Sequence, residues 1–165
     1  MPDLRQIILG EFSCTLDERF RLSIPHELSA LWGSEPSRCI LAKERAGCLS
    51  LWSADAWEAK LNARVRLVEQ KIQADAFGEE RIGRVQLLGR LLSTRHRPVE
   101  LKGRGRLLIP EGFRKFLGAE RDPPDNEIVV VGAAVCIEIW KPAAWLAYLE
   151  SRMPRFRRLF HELSR

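Results

Sequence analysis

Apolar and polar positions along the chain fall into short runs punctuated by proline and glycine, and two groups of runs follow one plan. "GEFSCTL" and "RPVEL" have the alternation of strands that place one face on a core. After a short charged turn, each is followed by a second strand ending at proline, "RLSIP" at 21–25 and "RLLIP" at 106–110. Proline cannot donate to a sheet ladder but suits the first turn of a helix. The residues after it, "HELSALWG" and "EGFRKFLG", therefore predict short helices stopped by Gly33 and Gly118. A loop rich in Ser, Pro and Asp comes next in each group. Two further strands follow, "RCILAK" with "GCLSLW" in the first and "EIVVV" with "AVCIEIW" in the second. Each group ends in a helix, "SADAWEAKL" or "KPAAWLAYL", whose Trp57 or Trp145 is expected to pack inward.

The two groups are a repeat. A shift of 85 residues superimposes Leu16, Arg19, Arg21, Leu22, Ile24, Pro25 and Gly33 on Leu101, Arg104, Arg106, Leu107, Ile109, Pro110 and Gly118. With three more residues allowed in the second loop, Ile40, Cys48, Trp52, Ala56 and Trp57 meet Ile128, Cys136, Trp140, Ala144 and Trp145. A unit of about fifty residues is small for a private core, so the two copies are expected to intertwine or pack together as a dimer fused into one chain. The fold class is α+β: two tandem β-rich repeats forming an intramolecular pseudo-dimer with flanking helices. The expected organisation is a first copy at 7–60, a helical connector at 61–92, a second copy at 93–149 and a basic tail at 150–165.

The connector carries Val65, Leu67, Val68, Ile72, Ile82, Val85, Leu87, Leu88 and Leu91 at helical spacing, with Phe77-Gly78 as the expected break between two helices. Such helices can pack on the sheets or on a neighbouring subunit. The tail holds Arg152, Arg155, Arg157 and Arg158 beside Phe156, Leu159 and Phe160, with Pro154 separating it from the preceding helix. A phosphate-touching arm, a subunit contact and a loosely attached helix all fit that composition.

Composition narrows the function classes. No apolar run approaches the ~18–20 residues that span a bilayer, and "MPDLRQIILGEF" is a poor signal peptide, so a cytoplasmic protein without a membrane partner is expected. Cys14, Cys39, Cys48 and Cys136 contain no C-x-x-C pair, and His26, His96 and His161 are scattered. Reduced, mostly buried thiols are therefore expected in place of a metal site or disulfides. No Gly-rich phosphate loop, H-E-x-x-H or G-x-S-x-G occurs, so neither catalysis, a cofactor nor a small-molecule substrate is indicated. The 27 Lys and Arg against 22 Asp and Glu leave +5, which permits a polyanionic partner without demonstrating one.

Candidate chemistry lies in the turns between the first two strands of each copy. Arg19, Arg21, Lys102, Arg104 and Arg106 stand where long side chains can project from a rigid sheet. Arginine's planar fork suits phosphate oxygens or the O6/N7 edge of guanine, and a two-stranded ribbon fits the major groove. Gly103 and Gly105 permit close backbone approach. Equally, Asp17 and Arg21 can form a simple ion pair across the hairpin, with Asp17 accepting turn N–H groups. Sequence pattern alone leaves both open.

"TLDERFRLSIP", the second "GR-apolar-apolar-I-P" and the Trp-bearing helix after each copy resemble the MraZ family. These are bacterial transcription regulators built from two swapped-hairpin AbrB-like (SpoVT-AbrB) units, and the likeness runs from residue 8 to about 149. The family's D-x-x-x-R motif is met by Asp17 to Arg21. The second copy keeps Arg106 but has Lys102 in place of the aspartate, and Phe20 stands where the family usually has the glycine that Gly105 keeps. The resemblance implies Arg19, Arg21, Lys102, Arg104 and Arg106 as DNA-binding residues, with Asp17 as a positioner. It also implies a homo-oligomeric ring on tandem direct repeats of double-stranded promoter DNA, nucleoid-associated, repressing a division and cell-wall gene cluster. An AbrB-like protein-interaction module of antitoxin type is the alternative.

Overall fold

The first strand of each copy lies beside the third strand of the other. In the structure, a computed structural model that describes residues 7–30, 38–119 and 126–165, β1 (Ile8–Thr15) pairs antiparallel with β7 (Glu127–Ala134). Likewise β5 (His96–Glu100) pairs with β3 (Arg38–Arg45). The hairpins β3–β4 (Cys48–Ser53) and β7–β8 (Ile137–Trp140) meet through β4 and β8, which gives a six-stranded sheet of order β1-β7-β8-β4-β3-β5. Exchanging the two copies leaves that order unchanged. Ser50 faces its counterpart Glu138 across the central pair, so an approximate two-fold passes between them.

A second, two-stranded ribbon carries the same symmetry. β2 (Arg21–Ser23) pairs with β6 (Arg106–Leu108), Leu22 directly opposite Leu107. Both leucines are buried in one core with Leu41, Leu49, Leu51, Ile128, Val130, Ile137 and Ile139 of the sheet. Three-residue strands have little stability of their own, and this ribbon is held by burying its two leucines, roughly 2 kcal/mol each. Leu28 of α1 (His26–Ser29) and Phe113 and Leu117 of α5 (Glu111–Leu117) join the same core. The prolines stand one residue before those helices, and Gly118 closes α5 with φ 84°. The expected stop at Gly33 lies outside the described residues.

One detail of the repeat shifts. Cys39 lies opposite Val99, and Ile128 lies opposite Cys14, the residue that matches Val99. The buried partner of Ile128 is thus Cys39, not Ile40. A β-bulge between Lys43 and Arg45 holds one extra residue in the first copy's hairpin and restores the alignment by Trp52 and Trp140.

Trp57 packs against Trp52 and His96, and Trp145 packs against Trp140 and Tyr148, both on the sheet face away from the main core. α2 (Ala54–Trp57) continues through a π-helical turn at 58–62 into α3 (Ala63–Gln73), and α4 (Glu79–Arg95) runs directly into β5. The break at Phe77-Gly78 is therefore present, but the connector's apolar side is not applied to the sheets: Leu67, Ile72, Ile82, Leu87, Leu88 and Leu91 are exposed. After α6 (Pro142–Arg152), a 3-10 turn at Met153–Arg155 leads to α7 (Phe156–Leu163), on which Phe156, Leu159, Phe160 and Leu163 are also exposed. No described helix is long and apolar enough to cross a membrane.

Candidate nucleic-acid interface

Both turns project beside the ribbon, and each closes in its own way. In the first, the Asp17 N–H donates to the Arg21 carbonyl, and Asp17 Oδ1 accepts from the N–H groups of Arg19 (2.8 Å) and Arg21 (2.9 Å). Those N–H bonds, Arg21's foremost, together with the charges of the two guanidinium groups, hold the Asp17 carboxyl below its ordinary range. Arg21 Nε also stands 3.7 Å from Asp17 Oδ2. The ion pair that the pattern left open across this hairpin forms, but it is largely exposed and contributes about 0–1 kcal/mol. The carboxylate's main work is organising the turn backbone.

The second turn has no side-chain acceptor at that position. Lys102 and Arg106 instead exchange backbone bonds, N–H to carbonyl in both directions, at 2.9 and 2.8 Å. Gly103 (φ 55°) and Gly105 (φ 79°) supply the left-handed conformations that close it. Phe20, the counterpart of Gly105, adopts φ 60° despite its side chain, at a cost of about 1 kcal/mol. Its ring packs against the core, and the Arg114 guanidinium lies 4.0 Å from the ring centroid while its Nε donates to the Ile109 carbonyl. A cation–π contact of this kind contributes about 0.5–1 kcal/mol, comparable with the conformational cost. The carbonyls of Phe20 and Gly105 accept from Ile109 and Ile24, each of the other copy. Each turn is thereby pinned to the opposite half of the ribbon.

Arg19, Arg21, Lys102 and Arg106 line one open concavity of about 1050 Å³. Arg104 sits exposed in the second turn and is not part of that lining. Two cations that sequence reasoning did not single out join it, Arg38 and Arg97, with Glu100 as the single carboxylate among the described residues. Arg97 lies in "RHRPVELKGRGR" at 95–106, a basic run visible along the chain. Arg38 carried no such signal, because only the pairing of β3 with β5 brings it opposite Glu100. At the positions corresponding to Arg97 and Arg38, the β1–β7 side has Phe12 and Glu127, so the cationic lining belongs to one side of the two-fold. Its apolar wall includes Ile40, Val99 and Leu108.

Other chemistry is sparse. All four cysteines carry thiols. Burial pushes Cys39 and Cys136 up to about 12 and raises Cys48 and Cys14 as well, so at neutral pH none is a ready nucleophile. Among the described residues, no three His, Cys, Asp or Glu side chains converge as metal ligands.

Residues 95–161 match the family model described as "MraZ protein, putative antitoxin-like", a span that takes in the second turn and most of the tail. The chain is similar to the transcriptional regulator MraZ of Methylobacillus flagellatus, 30% identical over 145 residues that cover 87% of each protein. The transcriptional regulator MraZ of Thermomicrobium roseum is 28% identical over 144 residues, 87% of this chain and 88% of its own length. That of Syntrophomonas wolfei is 24% identical over 157 residues, 95% and 96% of the two chains.

Proposed function

The chain belongs to the MraZ family, and from that premise we propose that it is a DNA-binding transcriptional regulator acting on chromosomal promoter DNA in the cytoplasm. The observation that carries this reading is the exposed ribbon, with arginines of both copies gathered round one cationic concavity. A β-ribbon of this width enters a major groove, where Arg21 and Arg106 read guanine edges while Arg19, Lys102 and Arg104 meet phosphates. Asp17 acts by fixing the first turn. Its bonds to the backbone support that role, since a carboxylate facing phosphates would repel them.

The finer reading is a repressor of a division and cell-wall gene cluster that binds tandem direct repeats as a homo-oligomeric ring. The exposed apolar faces of α3, α4 and α7 support self-association, and several copies on tandem sites would multiply a modest affinity. Light scattering on the purified protein measures the assembly.

Anisotropy titration against DNA upstream of the chain's own gene tests the central claim. Arg21→Ala and Arg106→Ala are each expected to weaken binding by about 1–3 kcal/mol if they make bidentate base contacts, and affinity should fall steeply with salt through counterion release. Equal binding to scrambled DNA would sink sequence-specific regulation, and no binding by the folded oligomer would sink DNA binding itself. A second reading, an antitoxin-type protein-interaction module, draws on α7, where Phe156, Leu159, Phe160 and Leu163 stand exposed beside Arg155, Arg157 and Arg158. Deleting 153–165 separates the two. DNA affinity lost with Arg21 but unchanged by the deletion favours the regulator.

A further inference from the structure

The ribbon's outward side is less symmetric than its backbone. With Leu22 and Leu107 buried beneath, the outward positions are Arg21 and Ser23 on β2 and Arg106 and Leu108 on β6. The register sets Arg21 opposite Leu108 and Arg106 opposite Ser23. Each arginine therefore has a different neighbour across the ribbon: a leucine for one, a hydroxyl for the other. Leu108 is 52% exposed, although it stands among cations in the concavity. A large apolar side chain there contributes little to the fold, whose core contact at this strand is made by Leu107.

We propose that Leu108 and Ser23 are specificity-determining residues that make the two reading positions unequal. This rests on the DNA-binding function proposed above. The thymine methyl is the apolar feature of a major-groove floor, and leucine meets it where a hydroxyl does not. Side chains directly opposite on a ribbon stand about 5 Å apart, close to the step of about 3.4 Å between successive base pairs. Arg21 with Leu108 thus reads a guanine next to a thymine, and the methyl packs on Leu108. Arg106 with Ser23 reads a guanine beside a base of relaxed identity, because a hydroxyl both donates and accepts and suits either partner class.

Uracil differs from thymine only by that methyl, which makes the claim measurable. Duplexes from the chain's own upstream DNA, narrowed by footprinting to the protected bases, are titrated with each thymine replaced in turn by deoxyuridine. The full-length protein is expected to lose about fourfold in affinity at a thymine beside a protected guanine, the effect of one buried methyl group. Leu108→Ser should abolish that difference, and Ser23→Leu should create a second methyl-sensitive position. Both sites are exposed, and circular dichroism checks that the variants fold. If no thymine-to-uracil change matters, or if Leu108→Ser keeps the discrimination, the inference falls even where Arg21→Ala still weakens binding. If Arg21→Ala changes nothing either, the groove-reading function falls with it.

Discussion

The turn at Asp17–Arg21 and the turn at Lys102–Arg106 reach the same backbone shape by different chemistry. One uses a carboxylate to collect two N–H groups and lets a phenylalanine sit in the left-handed region against an arginine. The other uses two glycines and a mutual backbone bridge, which leaves a lysine where the carboxylate was. Side-chain organisation leaves the first turn sensitive to single substitutions and to acid. Backbone organisation leaves the second indifferent to residue 102 and free to present a cation. The lesson is that a duplicated unit can keep its geometry while its copies diverge in charge, provided that each retains some means of closing the turn.

The widest gap between the copies is expected in the sheet. An added Cβ at Gly132 would stand 2.7 Å from the backbone of Ile8 and Leu9, so β1 cannot keep its place beside β7 around any larger residue. Gly132→Ala should cost about 3 kcal/mol by overpacking. At the corresponding point of β3 stands Lys43, whose Nζ reaches Thr94 Oγ1 and the rings of Phe113 and Phe116. Lys43→Ala should cost only about 0.5–1 kcal/mol, the worth of an exposed cation–π contact. Urea unfolding of the two variants measures the difference. Equal losses would mean that the two strand exchanges are equally tight.

A smaller effect divides Phe20 from Gly105. Phe20→Gly relieves the left-handed strain, about 1 kcal/mol, but removes a ring packed against the core and Arg114, worth about 2 kcal/mol. A net loss of about 1 kcal/mol should follow. Gly105→Ala should lose about 1–2 kcal/mol, since its φ of 79° favours glycine and the new Cβ would approach the Ile24 carbonyl to 3.2 Å. Thermal unfolding of both variants checks the pair. A Phe20→Gly protein more stable than its parent would show that the ring is merely tolerated.

Most of this architecture was legible along the chain because it is local. The strands, the proline-led helices, the inward tryptophans and the turn arginines each announce themselves within a few residues. Partner choice did not. Either copy's first strand presents the same alternation, so nothing near residue 12 or residue 99 says that each pairs with the other copy. The bulge at Lys43–Arg45 was hidden as well, and with it the true match of Ile128 to Cys39, because an extra residue in a hairpin looks like a loop insertion. Arg38 and Arg97 reach the concavity only through that strand exchange. The connector's apolar spacing did identify helices, but periodicity carries no information about what covers the exposed Leu87 and Leu91.

The finest difference is one of acidity. Removing the Asp17 carboxylate by Asp17→Ala leaves the N–H groups of Arg19 and Arg21 to water and should cost about 1 kcal/mol, whereas Lys102→Ala should fall within about 0.5 kcal/mol of the parent. The carboxyl titrates lower in the folded chain than its ordinary value because the ionised form accepts those N–H bonds. Its contribution is therefore fully present above the ordinary carboxylate range and is lost as pH falls through the depressed folded value. Amide proton resonances report this directly. Those of Arg19 and Arg21 should shift together at acid pH, at a midpoint below the ordinary aspartate value of 3.8. The Arg106 amide, bonded to the Lys102 carbonyl, should not follow them. A shared midpoint in both turns would mean that the acid limb belongs to global unfolding, and the contrast between side-chain and backbone closure would fail.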